Sequence, residues 1–140
     1  MGSFKIARVV IDTNVIISSL LFGGLPGELI PLWKAGIIRP LISADILNEY
    51  LRVLAYPRFA LTEDEINFII YHEILPYFED TVVKRQKKII KEDPSDDKFI
   101  ACAESGKAAY IISGDNHLLN LRTYGPIEIV SPSQILSKFK

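Results

Sequence analysis

The residues best placed to do chemistry in this chain are carboxylates. Asp12 follows directly on the β-branched run Val9-Val10-Ile11, and Asp115 follows Tyr110-Ile111-Ile112-Ser113-Gly114. Asp97 falls in the opening turn of an apolar helical stretch, after the turn sequence Asp93-Pro94-Ser95. Glu49 lies on the helical segment behind a second apolar run, Ile38–Ile42. Open parallel sheets gather ligand sites beyond the carboxyl ends of their strands, near the point where strand order reverses. Two acids leaving strand ends and one at a helix start could therefore share one edge, where clustered carboxylates suit an oxygen-seeking cation. Neither His72 nor His117 belongs to a nucleophile signature, and with the single Cys102 they make no zinc ligand set.

Each acid also has a plainer reading. Asp12 alone would serve as a turn or cap residue, and Asp97 as a first-turn acid favoured by the helix dipole. Glu49 sits off the apolar stripe Ile46, Leu47, Tyr50, Leu51 and Leu54, as a solvated surface acid would. Asp45, four residues earlier on the same face, competes with it. Asp96 leaves the third acid ambiguous by one position. Only the constellation as a whole favours a site.

The elements that must position these acids alternate along the chain. Strands are expected over Ile6–Ile11, Ile38–Ile42, Thr81–Val83, Ala109–Ser113 and Ile127–Val130. Helices are expected over Thr13–Leu21, Pro26–Ala35, from the cap Ser43 to about Ala55, from the cap Thr62 to about Leu75, Asp96–Ser105, Asn116–Leu121 and Pro132–Phe139. Lys84–Glu92 is charged and has no clear element. The strands are solidly apolar rather than alternating, the pattern of a parallel sheet of about five strands covered on both faces. The expected fold is thus a three-layer α/β/α sandwich. With no repeat, low-complexity tract or linker, residues 1–140 read as one domain.

Four fragments carry a resemblance: Val10-Ile11-Asp12-Thr13-Asn14, Ile46-Leu47-Asn48-Glu49-Tyr50, Asp96-Asp97-Lys98-Phe99-Ile100-Ala101-Cys102-Ala103 and Ile112-Ser113-Gly114-Asp115. In order and spacing, over nearly the whole chain, they resemble the PIN-domain pattern, most of all its prokaryotic toxin-type members. The resemblance implies a PIN-like fold and a ribonuclease acting on single-stranded RNA through Mg2+ or Mn2+. It makes Asp12, Glu49, Asp97 and Asp115 the four acids, with Asp12, Asp97 and Asp115 holding metal and Glu49 in an outer shell or acting as a base. Thr13, Asn14 and Ser113 become the small polar companions that position substrate. The apolar run behind Asp97 aligns with the family helix and favours it over Asp96. An antitoxin protein is the partner such members imply.

Other functions fit less well. A haloacid-dehalogenase-type phosphatase needs a second Asp two residues past Asp12, where Asn14 stands, and a receiver domain needs an acidic pair there. A non-catalytic RNA-binding or regulatory subunit would keep the fold without the activity. Composition bounds the rest. The net charge of -1 gives no global basic field, so nucleic acid must be met by a local patch. The run Lys84-Arg85-Gln86-Lys87-Lys88 with Lys91 is a solvated face or a phosphate grip. Cys102 and Trp33 are expected in the core, and His117 on the surface. One cysteine, no signal peptide and no apolar segment long enough to span a bilayer point to a cytoplasmic protein away from membranes. The hydrophobic fraction of 49%, with the aromatic-rich helix Phe68-Ile69-Ile70-Tyr71, points to a homodimer.

Overall fold

The computed structural model describes residues 6–83 and 97–139. The basic run 84–91, the turn 93–95 and Asp96 lie outside the described residues. A central six-stranded sheet has the order β3-β2-β1-β4-β6-β5. Its strands are β1 (Ala7–Ile11), β2 (Ile38–Ile42), β3 (Glu79–Asp80), β4 (Tyr110–Ile112), β5 (Thr123–Tyr124) and β6 (Ile127–Val130). All pairings are parallel except that of β5 with β6, which closes one edge as an antiparallel hairpin. The helices are α1 (Thr13–Ile17), α2 (Gly24–Gly27), α3 (Leu29–Lys34), α4 (Ala44–Leu54), α5 (Glu63–Phe68), α6 (Asp97–Ser105), α7 (Asn116–Leu119) and α8 (Pro132–Phe139). Helices flank the sheet, giving the layered α/β sandwich that the apolar strands predict.

The inner strands are apolar because both of their faces are covered. Val9, Val10, Ile11, Ile38, Leu41, Ile111 and Ile112 are fully buried, as parallel strands between helical layers must be. Local signals set the helix starts. Ser43 caps α4 by accepting from the Ile46 N–H, and Thr62 with Glu65 forms a reciprocal capping box on α5. Gly106 ends α6 where it presses on β2: a Cβ there would stand 2.4 Å from Leu41 Cδ1.

Several boundaries differ from the sequence expectation, each for a structural reason. The third strand forms at Glu79–Asp80, with Thr81 adding one bond to Ile42 O (2.8 Å), rather than over Thr81–Val83. β5 carries no apolar pattern; the turn at Gly125 (φ 58°) folds it back on β6. α1 runs on as a π-helical turn, Ser18–Phe22, and α5 does the same over Ile69–Ile74. The second helix starts at Gly24 and is divided at Glu28. Among the described residues no single helix is long and apolar enough to cross a membrane; Thr13–Phe22 and Gly24–Lys34 together reach that length but meet at 89°.

Candidate active site

The strand order fixes where a site must lie. From β1 the chain builds outward through β2 to β3, then returns to the other side of β1 with β4. The order reverses between β1 and β4, so a crevice opens beyond their carboxyl ends. Register places Ile11 level with Ile112. The next residues on the two strands are Asp12 and Ser113, and the Asp12 N–H extends the ladder to Ile112 O at 3.0 Å.

Asp12 is held on all sides. Its side chain is the N-cap of α1, accepting from the Val15 N–H at 2.9 Å through Oδ1. Its Oδ2 accepts a hydrogen bond from the Ser113 hydroxyl. The Ser113 oxygen in turn accepts the Asp115 N–H at 2.9 Å. Asp115 caps α7 by accepting the His117 N–H at 2.7 Å. Ser113 is fully buried and Asp12 is 4% exposed. Burial therefore pushes the Asp12 carboxyl from 3.8 up to about 6, against the pull of its hydrogen bonds to Ser113 and Val15 and with a further push from the Asp115 charge. Asp12, Ser113 and Asp115 thus form one connected unit at the switch point.

The second group is built around Glu49, which is turned toward the site rather than into solvent. Its side chain accepts from the Thr13 hydroxyl, from Lys98 Nζ at 2.8 Å and from Arg52 Nη2 at 3.4 Å. Its side chain is only 13% exposed. Asp45 is exposed in the first turn of α4, so Glu49 and not Asp45 meets Thr13. Asp97 is 2% exposed at the start of α6. That start lies at the same sheet edge, because α6 runs back to the opposite end to feed β4. Asn14 is exposed and borders a groove shared with Phe22, Arg58 and Phe59. Among the described residues, no three acidic, histidine or cysteine side chains come together as a ready metal ligand set.

Two residues of this region escaped the sequence reading. The Tyr50 hydroxyl, fully buried, donates to Ile11 O at 2.6 Å, pinning α4 to the strand end immediately before Asp12. Its spacing marked it only as apolar core. Lys98 bridges α6 to Glu49 on α4. A lysine in the first turn of a helix opposes the dipole, and that misfit was the available signal that a counter-charge holds it.

This arrangement of fold and acidic edge defines the class. The chain belongs to the PIN domain family, whose model matches residues 8–117. It is 30% identical to the uncharacterized protein MJ1680 of Methanocaldococcus jannaschii over 152 aligned positions, covering 100% of this chain and 96% of that protein. Its fold is similar to that in the crystal structure of FitAcB from Neisseria gonorrhoeae, with a TM-score of 0.59, 19% identity, and coverage of 89% of this chain and 98% of the other.

Proposed function

We propose that this PIN-domain protein is a ribonuclease that cleaves single-stranded RNA with the help of Mg2+ or Mn2+. The observation that carries the reading is Asp12: a buried carboxylate at the strand-order reversal, linked through Ser113 to Asp115 and raised to about 6, chiefly by burial. Burial and like charge rarely coincide in a group that only shapes a turn. The donor chemistry fits a hard cation, since carboxylate and hydroxyl oxygens supply the unit Asp12–Ser113–Asp115. Asp12 and Asp115 would hold the ion together with water, and Asp97 would join from α6. When bound, the ion supplies activation of water and stabilisation of charge on the phosphoryl oxygens.

The protein's own groups then have distinct tasks. Ser113 and the Val15 N–H fix both oxygens of Asp12, so the carboxylate cannot rotate away from the crevice. In the metal-free protein burial favours the protonated Asp12 carboxyl; a bound cation would favour its ionised form instead, which suits a ligand. Glu49, neutralised by Lys98 and Arg52, orients the Thr13 hydroxyl. The toxin-type resemblance adds an antitoxin partner to the proposal, and the single, unpaired cysteine fits a cytoplasmic setting. A homodimer joined through the exposed face of Phe68, Tyr71 and Leu75 completes it.

One observation favours a second reading. Glu49 is already saturated by Thr13, Lys98 and Arg52, as it would be in an RNA-binding subunit without catalysis. The deciding experiment is cleavage of a mixed RNA pool with Mn2+, with and without chelator, beside Asp12→Asn and Asp115→Asn. The ribonuclease reading expects metal-dependent cleavage lost in both variants. RNA bound but uncut with either metal selects the second reading. Cleavage unchanged in Asp12→Asn refutes the mechanism.

A further inference from the structure

The acidic edge leaves one neighbouring feature unexplained, the groove beside Asn14. It has a volume of about 520 Å³. One wall is the π-helical turn Ser18–Phe22, whose widened backbone ends with Phe22 69% exposed. The facing wall is the short 3-10 turn Pro57–Phe59, closed by Ala60 in the left-handed conformation (φ 52°). The rings of Phe22 and Phe59 lie 6.0 Å apart across it, tilted by 52°. The Arg58 guanidinium stands 4.9 Å from the Phe59 ring centroid and 5.6 Å from that of Tyr56. Asn14, two residues from Asp12, borders the same groove.

We propose that this groove is a nucleobase subsite: one unpaired base of the RNA stacks on the exposed Phe22 ring, which Phe59 backs, and Arg58 meets the adjoining phosphate. The inference rests on the ribonuclease reading and deepens it. Three observations select this occupant. An exposed aromatic face is the usual platform for an unstacked base, and sequence-tolerant stacking needs little else. Among the described residues, Arg58 is the one charged side chain lining the groove, and no carboxylate lines it to repel a phosphodiester. Finally, Asn14 lines the groove two residues after Asp12, in the first turn of the helix that Asp12 caps, so a base held there sits within a short length of RNA strand from the acidic edge. An apolar helix of a second copy would instead have to bury the Arg58 charge without a partner, which is costly.

The first test needs no catalysis. In chelator, 5′-AMP is titrated into 15N-labelled protein, with ribose 5-phosphate as the base-free control. The amides of Asn14, Phe22, Arg58 and Phe59 should shift with AMP, shift far less with ribose 5-phosphate, and stay still in Phe22→Ala. Phe22 is exposed enough for that variant to keep its fold. The second test is cleavage kinetics with metal. Phe22→Ala and Arg58→Ala should raise KM on the order of tenfold, more than they lower kcat, while Phe22→Trp restores binding. AMP shifts without any RNA cleavage would sink the ribonuclease reading and leave the base site standing. RNA cleavage at unchanged KM in a Phe22→Ala/Phe59→Ala double variant, with no AMP shifts in wild type, would overturn the subsite and leave the ribonuclease standing. No AMP shifts together with a halved molecular mass for Phe22→Ala would make the groove an interface between copies and overturn it equally.

Discussion

Replacing Asp12 by asparagine isolates the electrostatic stress at the centre of the site. Its folded pKa near 6 against an ordinary 3.8 means that the native state binds the proton more tightly than the unfolded chain. At about 1.4 kcal/mol per pH unit, ionised Asp12 costs the fold about 3 kcal/mol once pH exceeds 6. The sign follows: this term is absent below pH 3.8, and stability declines as pH rises from there to about 6. The substituted amide carries no charge, and its oxygen can keep the bond from Val15. It cannot accept from Ser113 in the same way, a loss of about 1 kcal/mol. The metal-free Asp12→Asn protein should therefore be about 2 kcal/mol more stable than wild type at pH 8, a rise in Tm of about 4–8 °C for a chain of this size. Thermal unfolding followed by circular dichroism in chelator, at steps from pH 8 to pH 4, reads the difference directly. The advantage should shrink through pH 6 and vanish or reverse near pH 4. Added Mg2+ should raise the Tm of wild type and leave the variant unmoved. A variant less stable than wild type at pH 8, or a difference that does not change with pH, would show that Asp12 is a simple cap and that the stress assigned to it is not there.

Three further outcomes are expected. Tyr50→Phe should lose about 1–2 kcal/mol in urea unfolding, because it removes the hydroxyl that donates to Ile11 O inside the core. Lys98→Met should cost about 1–2 kcal/mol by taking the nearest counter-charge from the mostly buried Glu49, and a Glu49→Gln/Lys98→Met double variant should recover part of that loss in a mutant cycle. Light scattering at micromolar concentration should report a dimer for wild type and a monomer for Phe68→Asp/Tyr71→Asp; a monomeric wild type would remove the homodimer from the proposal.

The sequence made the layered fold legible because inner parallel strands have no polar face to hide: Val9-Val10-Ile11 and Tyr110-Ile111-Ile112 announce burial on both sides. Asp12 and Asp115 were legible for the same reason, since a carboxylate after such a run must leave the sheet at its carboxyl edge. What could not be read depends on partners distant in sequence. β5 is two polar-edged residues whose pairing exists only because Gly125 turns them onto β6. The π-helical turn at Ser18–Phe22 follows no side-chain period; within it the Ser19 hydroxyl donates to both Val15 O and Pro26 O, tying the turn to the segment that follows. Glu49 sat off its helix's apolar stripe, so only the fold could show that Thr13 and Lys98 wait for it there.

The two margins of the sheet bear on how the molecule can associate. Among the described residues, β5 is a two-residue return strand at one margin, and at the other β3 is the pair Glu79–Asp80, with Glu79 bound by Arg8 at 2.6 Å and near Arg39 at 4.0 Å. Short, charged or folded-back margins offer an incoming strand few free backbone groups in register. A sheet finished in this way resists extension into a neighbour's sheet, however apolar its interior. The proposed dimer would then use the helical surfaces, where Phe68 and Tyr71 are exposed; contacts there can form and part without unpicking a strand.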